Sequence, residues 1–213
     1  MAGDDQTVRN PLFARFFDRF AAKDEERGQA ELRRELLDGL AGRVVELGAG
    51  NGLNFPHYPA TVGEVVAVEP EAYLRERAAK AAQTAPVPIR VADGLAGRLP
   101  FEDGSFDAAV VSGVLCSVPD QASALSDLRR VLRPGGELRF YEHVRAPTRG
   151  RARFQDVVDV VWPRLMGGCH PNRDTLAAIE RSGFRVERQR GFLFPPGARV
   201  SVVAPRILGV ARR

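Results

Sequence analysis

The chain has 213 residues, 44% of them apolar and 27% charged, enough for one globular domain with a sizeable buried core. Its 31 Lys and Arg against 27 Asp and Glu leave a formal charge of +4, too small and too interspersed with acids for a nucleic-acid-binding stripe. No apolar run approaches the ~18–20 residues needed to span a bilayer, and the polar start Met1-Ala2-Gly3-Asp4-Asp5 lacks a signal-peptide pattern, so the default expectation is a cytoplasmic protein.

From Asn10-Pro11 to Ala22 the chain reads as a short amphipathic helix. Leu12, Phe13, Phe16, Phe17 and Phe20 recur at helical spacing, with Arg15, Asp18 and Arg19 opposite. A second helix over Glu25 to Leu40 brings Leu32, Leu36, Leu37 and Leu40 to one face and ends near Gly42. Strands are then expected near 43–47, 64–69, 88–92, 107–112, 136–142, 184–190 and 206–211, and helices near 51–57, 71–83, 121–132, 151–166 and 173–182. Such alternation predicts an α/β fold, a mainly parallel sheet with helices on both faces. Ligands of such sheets sit beyond the carboxyl ends of the strands, at the point where the strand order reverses. Pro195-Pro196-Gly197 marks a turn, and Val200 to Val203 are compatible with a strand or a short helix. There are no internal repeats and no low-complexity linker.

The most informative run is Val44-Val45-Glu46-Leu47-Gly48-Ala49-Gly50-Asn51-Gly52, followed by Val65-Val66-Ala67-Val68-Glu69. An apolar strand ends in an acid, a glycine-rich turn follows, and a second apolar strand ends in another acid. An acid after the second strand is placed to accept both hydroxyls of a ribose. The turn itself is G-x-G-x-G, with Leu53 where a dinucleotide site wants its third glycine, and no Gly-Lys-Ser/Thr follows as a P-loop requires. Glu46 would repel a pyrophosphate but suits a ligand carrying an amino group and a sulfonium. That sign favours S-adenosylmethionine over NAD.

With these residues placed, the chain resembles the class I S-adenosylmethionine-dependent methyltransferases (methyltransferase type 11) over about residues 40–212. Glu46 to Gly52 matches the motif that wraps the methionine part of the cofactor, and Glu69 the acid that grips the ribose. Leu99-Pro100-Phe101-Glu102-Asp103-Gly104-Ser105-Phe106-Asp107 matches the stretch leading into the fourth strand, and Leu132-Arg133-Pro134-Gly135-Gly136 the turn before the fifth. The resemblance implies a Rossmann-like, seven-stranded sheet in a single domain, with N-terminal helices over 8–40 as a lid and a substrate insert near 145–175. It implies S-adenosyl-L-methionine held by Glu46, Gly48, Ala49, Gly50, Asn51, Gly52 and Asn54 around the turn, and by Glu69 and Pro70 after the second strand. Asp93, Gly94, Leu95 and Ala96 after the third strand, and Ser112, Gly113 and Val114 after the fourth, complete the implied set. One departure stands out: family members often carry Gly-Asp-Ala shortly before Leu-Pro-Phe, whereas Ala92-Asp93-Gly94 comes about two residues early here. Asp93 is thus either the adenine contact or an ordinary strand-end cap.

Asn51-Gly52-Leu53-Asn54-Phe55, Val114-Leu115-Cys116-Ser117-Val118, Tyr141-Glu142-His143-Val144, Trp162 and Gly168-Cys169-His170 with Arg173-Asp174 are similar to the methyltransferase-like seven group, the alkyl-thiol methyltransferases. This likeness implies S-methylation of small hydrophobic thiols. The rival readings are O-, N- or C-methylation of a lipid, quinone or secondary metabolite, and a non-catalytic protein that only binds the cofactor. The Phe-rich helix over 12–20 is open to three readings: membrane contact, lid, or core element.

For catalysis, His143 after the fifth strand is the leading base candidate, or else a His that caps the strand end or bonds a backbone carbonyl, with Glu142 beside it expected to face another way. His170 in the Gly/Pro-rich loop is either a second candidate for lining the acceptor site or an exposed loop His. Cys116 is either a nucleophile or a small buried wall residue. Cys116 and Cys169 are too few for a disulfide framework and lack C-x-x-C spacing, and Ser112 offers no convincing metal ligand, so no metal is expected.

Overall fold

The computed structural model describes residues 14–16, 18–19, 25–198 and 200–213. Its centre is a seven-stranded sheet of β1 (Gly42–Leu47), β2 (Val62–Val68), β3 (Ile89–Ala92), β4 (Phe106–Ser112), β5 (Leu132–His143), β6 (Arg185–Leu193) and β7 (Pro205–Arg212). The spatial order is β3-β2-β1-β4-β5-β7-β6. The first five strands are parallel, and β7 runs antiparallel between β5 and β6. The order reverses between β1 and β4, so the crevice beyond their carboxyl ends is the switch point.

Alternation along the strands builds two cores. Val45, Leu47, Val66, Val68, Ala109, Val111, Leu138 and Phe140 face one side. Their neighbours Val44, Val65, Ala67, Ala108, Val110 and Tyr141 face the other. Central parallel strands covered on both faces are largely apolar, which is why Val65 to Val68 of β2 and Ala108 to Val111 of β4 read as unbroken hydrophobic runs, and why the Glu46 that interrupts β1 stands out. The first face is sealed by α3 (Gln121–Val131) through Leu125 and Leu128 and by α6 (Thr175–Arg181) through Ile179. The second is sealed by α1 (Ala30–Leu37) through Leu36 and Leu37 and by α2 (Ala72–Ala82) through Ala78. Burying each such Leu, Ile or Val contributes about 1.5–3 kcal/mol. Acidic side chains cap the helices: Glu71 accepts from Leu74 N, Asp120 from Ala122 N and Ser123 N, and Asp174 from Ala177 N. The edge strand β6 presents Arg185, Glu187, Arg188 and Arg190 to solvent, which discourages further strand pairing.

The predicted strands and the helices α2, α3 and α6 form within a few residues of their expected limits. Three helices differ, each for a local reason. The helix expected over 51–57 contracts to a single 3-10 turn, Phe55–His57. Gly52 takes φ 86° on one side, and Pro59 on the other holds Tyr58 extended. The helix expected over 151–166 divides into α4 (Arg149–Asp159) and α5 (Trp162–Leu165). Pro163 has no N–H to donate and its ring would clash with the carbonyl of residue 159. The helix expected over 25–40 is kinked at Gly28, which takes φ 103°. Of the helix expected over 10–22, residues 14–16 and 18–19 are described and helical. Leu12, Phe13, Phe17 and Phe20 lie outside the described residues. No helix among the described residues is long and apolar enough to cross a membrane.

The α4–α5 insert covers one end of the sheet with few buried side chains of its own; Phe154, Val157, Val160, Val161 and Leu165 are exposed. Its anchor is Gln155, fully buried. The Gln155 Oε1 accepts from Ala146 N at 2.7 Å, and its Nε2 donates to Val144 O at 3.1 Å, Pro171 O at 2.9 Å and Val202 O at 2.9 Å. One amide side chain thereby joins the exit of β5, the loop before α6 and the segment leading into β7. Gln155→Leu keeps the volume and strands these buried groups. Chemical denaturation is expected to show a loss of at least about 3 kcal/mol, since each unsatisfied buried group costs ~1–3 kcal/mol.

Candidate active site

The glycine turn follows β1, with Gly48, Gly50 and Gly52 at φ 67°, 58° and 86°. Gly48 N and Ala49 N donate to Val68 O at 2.8 and 3.1 Å, which folds the turn across the end of β2. A Cβ on Gly48 would lie 2.5 Å from Val114 Cγ2, so the turn after β1 and the turn after β4 approach as closely as only glycine permits. Glu69 organises this region. Its Oε2 accepts from Gly50 N at 2.8 Å and its Oε1 from Glu71 N at 2.9 Å. Burial raises its pKa, and the two amide bonds oppose that rise.

Glu46 lies beneath the turn, almost fully buried. Its carboxylate accepts from Asn54 Nδ2 and from Tyr58 OH, both at 2.7 Å. Asn54 Oδ1 in turn accepts from Arg33 at 2.7 Å, and Arg33 pairs with Glu25 at 2.8 Å. Burial pushes the Glu46 carboxyl up to about 7, against the pull of the Tyr58 and Asn54 hydrogen bonds. Asn51, at the outer edge of the turn, donates through Nδ2 to Asp18 Oδ1 at 2.8 Å. The other oxygen of Asp18 meets Tyr73 OH at 3.1 Å and Arg77 Nε at 3.3 Å. The N-terminal helix is thus tied directly to the glycine turn.

Past β3, Asp93 turns its carboxylate to solvent, 69% exposed, where it pairs with Arg75 at 3.2 Å. Gly94 packs against Val68, Leu95 and Ala96 are half-buried, and Pro70 is half-buried after Glu69. Past β4, Ser112, Gly113 and Val114 are half-buried. Gly113 takes φ 70°, and a Cβ there would meet no atom within 4 Å, so open space faces this turn.

Glu142, near the end of β5 and fully buried, reaches across to that turn. Its Oε1 accepts from Val114 N at 2.9 Å and Leu115 N at 3.1 Å, and its Oε2 from Cys116 N at 3.4 Å. Burial raises its pKa and the three amides oppose the rise. Arg173 closes the other side, donating to Leu115 O at 2.8 Å and Val118 O at 2.7 Å. His143, the next residue after Glu142, takes a different partner: its Nδ1 lies 3.4 Å from Cys169 Sγ. Cys116, buried, has its sulfur 3.6 Å from Gly113 O and 3.4 Å from Ser117 Oγ. Cys116, His143 and Cys169 bring their donor atoms within 4.8 Å of one another. The proximity of the two thiols pushes Cys116 well up, as burial also does, and holds Cys169 below the usual thiol range. His170 N donates to Cys116 O at 2.8 Å, while its ring Nδ1 is engaged by Asp159 at 3.0 Å.

The sequence profile described as a methyltransferase domain matches residues 45–140. Human thiol S-methyltransferase TMT1B is 36% identical over 82% of this chain and 73% of its own length. Its mouse counterpart is 35% identical over 94% of this chain and 84% of its own.

The chain belongs to this methyltransferase family.

Solved structures agree on the fold. A SAM-dependent methyltransferase from Thermotoga maritima superposes with a TM-score of 0.68 at 22% identity, covering 94% of this chain and 98% of its own. One from Mesorhizobium loti gives 0.62 at 26% identity, covering 85% and 95%. The cofactor of the family is S-adenosyl-L-methionine, and the donor set here fits it: two buried carboxylates on adjacent strand ends, a close-set glycine turn between them, and open space at Gly113. The structure brings Glu46, the 48–52 turn, Asn54, Glu69 and the 112–114 turn of this methyltransferase together. It leaves Asp93 in a surface ion pair. At the acceptor end His143 and Cys116 converge, while the His170 ring is held by Asp159 on the insert. Sequence reasoning missed Cys169 as a partner of His143, Gln155 as the anchor of the insert, and Glu142 as the clamp on 114–116. Only the acid at the end of β5 gave a signal, as a third strand-end carboxylate after Glu46 and Glu69.

Because Glu46 is harder to ionise when folded than its ordinary value of 4.5 allows, the unfolded chain loses that proton first as pH rises. In the cofactor-free protein, stability relative to Glu46→Gln is expected to fall by up to about 3 kcal/mol between pH 4.5 and 7 and to level off above. Denaturant melts of both proteins across that range provide the measurement.

Proposed function

We propose that this methyltransferase carries the methyl group of S-adenosylmethionine to the sulfur of a small, lipophilic thiol. The observation that carries the reading is its kinship, over 94% of the chain, with a protein named a thiol S-methyltransferase. The acceptor end supports it: the walls at Cys116, His143 and Cys169 are soft or weakly basic, and the neighbouring Glu142 carboxylate is taken up by the 114–116 amides.

When bound, S-adenosylmethionine supplies a methyl group on a positively charged sulfur. Glu69 would accept the ribose hydroxyls, and Glu46 would be the counter-charge for the ammonium and sulfonium. The 112–114 turn, fixed by Glu142, would wall the space in which donor and acceptor align, and alignment in a dry cavity is the main contribution a protein makes to such a displacement. A small thiol ionises near pH 8.5, so its thiolate forms at modest cost, whereas an alcohol needs a positioned base. His143, the expected base, has Nδ1 committed to Cys169, and a thiol acceptor makes little demand on it. The N-terminal helix acts as a lid, supported by the Asp18 bonds to Asn51, Tyr73 and Arg77.

Methyl-donor consumption with thiols, phenols and amines of matched size is expected to show turnover with the thiols alone; equal turnover of a phenol or an amine overturns the reading. In calorimetry Glu69→Ala is expected to weaken S-adenosylmethionine binding by about 1–3 kcal/mol, the worth of its charge-assisted hydrogen bonds. Unchanged affinity would place the ribose elsewhere.

A further inference from the structure

We propose that Cys116, His143 and Cys169 form a three-ligand site for a divalent metal ion of borderline softness, Zn2+ foremost, whose fourth position takes the sulfur of the acceptor. The proposal deepens the thiol reading and rests on it for the identity of the fourth ligand alone.

The three donors come from three separate elements: the turn after β4, the end of β5, and the loop between α5 and α6. All lie within 4.8 Å of one another, with Cys169 Sγ 3.4 Å from His143 Nδ1. Around a tetrahedral zinc ion, bonds of about 2.3 Å to sulfur and about 2.0–2.1 Å to nitrogen put neighbouring S and N roughly 3.6 Å apart and two sulfurs roughly 3.8 Å apart. The side chains therefore already stand near the edges of such a tetrahedron. Two thiolates and an imidazole do not suit Mg2+ or Ca2+, which take oxygen, but they suit zinc. Three protein ligands with one position open is the arrangement of a catalytic zinc site rather than a structural one.

The surroundings hold the ligands as a metal site requires. Glu142 fixes the backbone at Cys116. His170 N donates to Cys116 O at 2.8 Å, joining the two cysteine-bearing segments directly. A Cβ on Gly168 would lie 3.1 Å from Ser117 O, so the loop carrying Cys169 sits as close to that turn as glycine allows. The indole N–H of Trp162, seven residues before Cys169, is buried without a hydrogen-bond partner, an orphaned donor of the kind that is usually satisfied when a site is filled.

The step balances without oxidation or reduction. The acceptor R–SH displaces a water from the fourth position and gives its proton to solvent. Its sulfur forms the new bond to the methyl carbon while the carbon–sulfonium bond breaks, and that electron pair stays on the cofactor's sulfur and neutralises it. The product thioether is uncharged, binds zinc weakly, and is replaced by water.

The test uses the full chain purified under a phosphine reductant. Elemental analysis is expected to find zinc equimolar with wild type and absent from Cys169→Ala. Chelated protein titrated with Co2+ is expected to show sulfur-to-cobalt charge-transfer absorption with tetrahedral ligand-field bands, and a small alkyl thiol should shift them. Chelation should lower thiol turnover at least about 100-fold, more than the loss of an outer-shell partner costs, with recovery on adding Zn2+. Calorimetric S-adenosylmethionine affinity should stay unchanged in both chelated protein and Cys169→Ala, which also shows that the variant folds. Full thiol turnover after chelation, with no Co2+ absorption, overturns the metal site and leaves the thiol reading standing. A zinc-loaded protein that methylates phenols or amines but not thiols overturns the thiol reading and leaves the metal site.

Discussion

Three carboxylates withdrawn from water, at the carboxyl ends of β1, β2 and β5, hold the functional end of the sheet together. Taking such an ion out of water costs several kcal/mol, and each is offset by donors from a neighbouring loop. Glu69 takes the amides of Gly50 and Glu71, Glu46 the side chains of Asn54 and Tyr58, and Glu142 the amides of 114–116. The loops adopt these shapes because buried carboxylates leave them no other way to be satisfied. The same burial raises the pKa of all three acids. They stand ready to gain from a nearby positive charge, and the ligand of this family carries one.

Most of the fold is legible in the sequence because the central strands must be apolar on both faces. Val44 to Leu47, Val65 to Val68 and Ala108 to Val111 can be read as buried parallel strands before any contact is known. The cofactor end is legible for a related reason. Its parts lie in short contiguous motifs, each a strand end with the turn that follows. Where the reading erred, one residue outweighed the periodicity around it: Pro163 divides a helix that its hydrophobic spacing had joined. Asp93, read as an adenine contact or a strand-end cap, forms a solvent-facing pair with Arg75.

The acceptor end is assembled differently. Cys116, His143 and Cys169 are each more than twenty residues from the next, and no spacing rule connects them. They meet because β4 and β5 are neighbours and because the insert folds back over their ends, held by Gln155. None of these long-range placements leaves a mark on the local pattern. An absent C-x-x-C motif therefore says little about whether two cysteines and a histidine converge in space.

The Gln155 anchor has a further consequence. Gln155 is the fully buried polar tie between the insert and the body, beside more exposed pairs of Asp156 with Arg145 and Asn172, Asp159 with His170 and Arg151 with Ala198 O, and the insert's outer side chains bury little. The cofactor end instead rests on the central strands. Such a chain has two local stabilities, and its less stable part opens first on heating. Heat then disassembles the acceptor wall while the cofactor is still held, so the protein loses its choice of acceptor before it loses its donor. The same division lets mutation remodel the insert, and with it the acceptor, on a scaffold that keeps one methyl source.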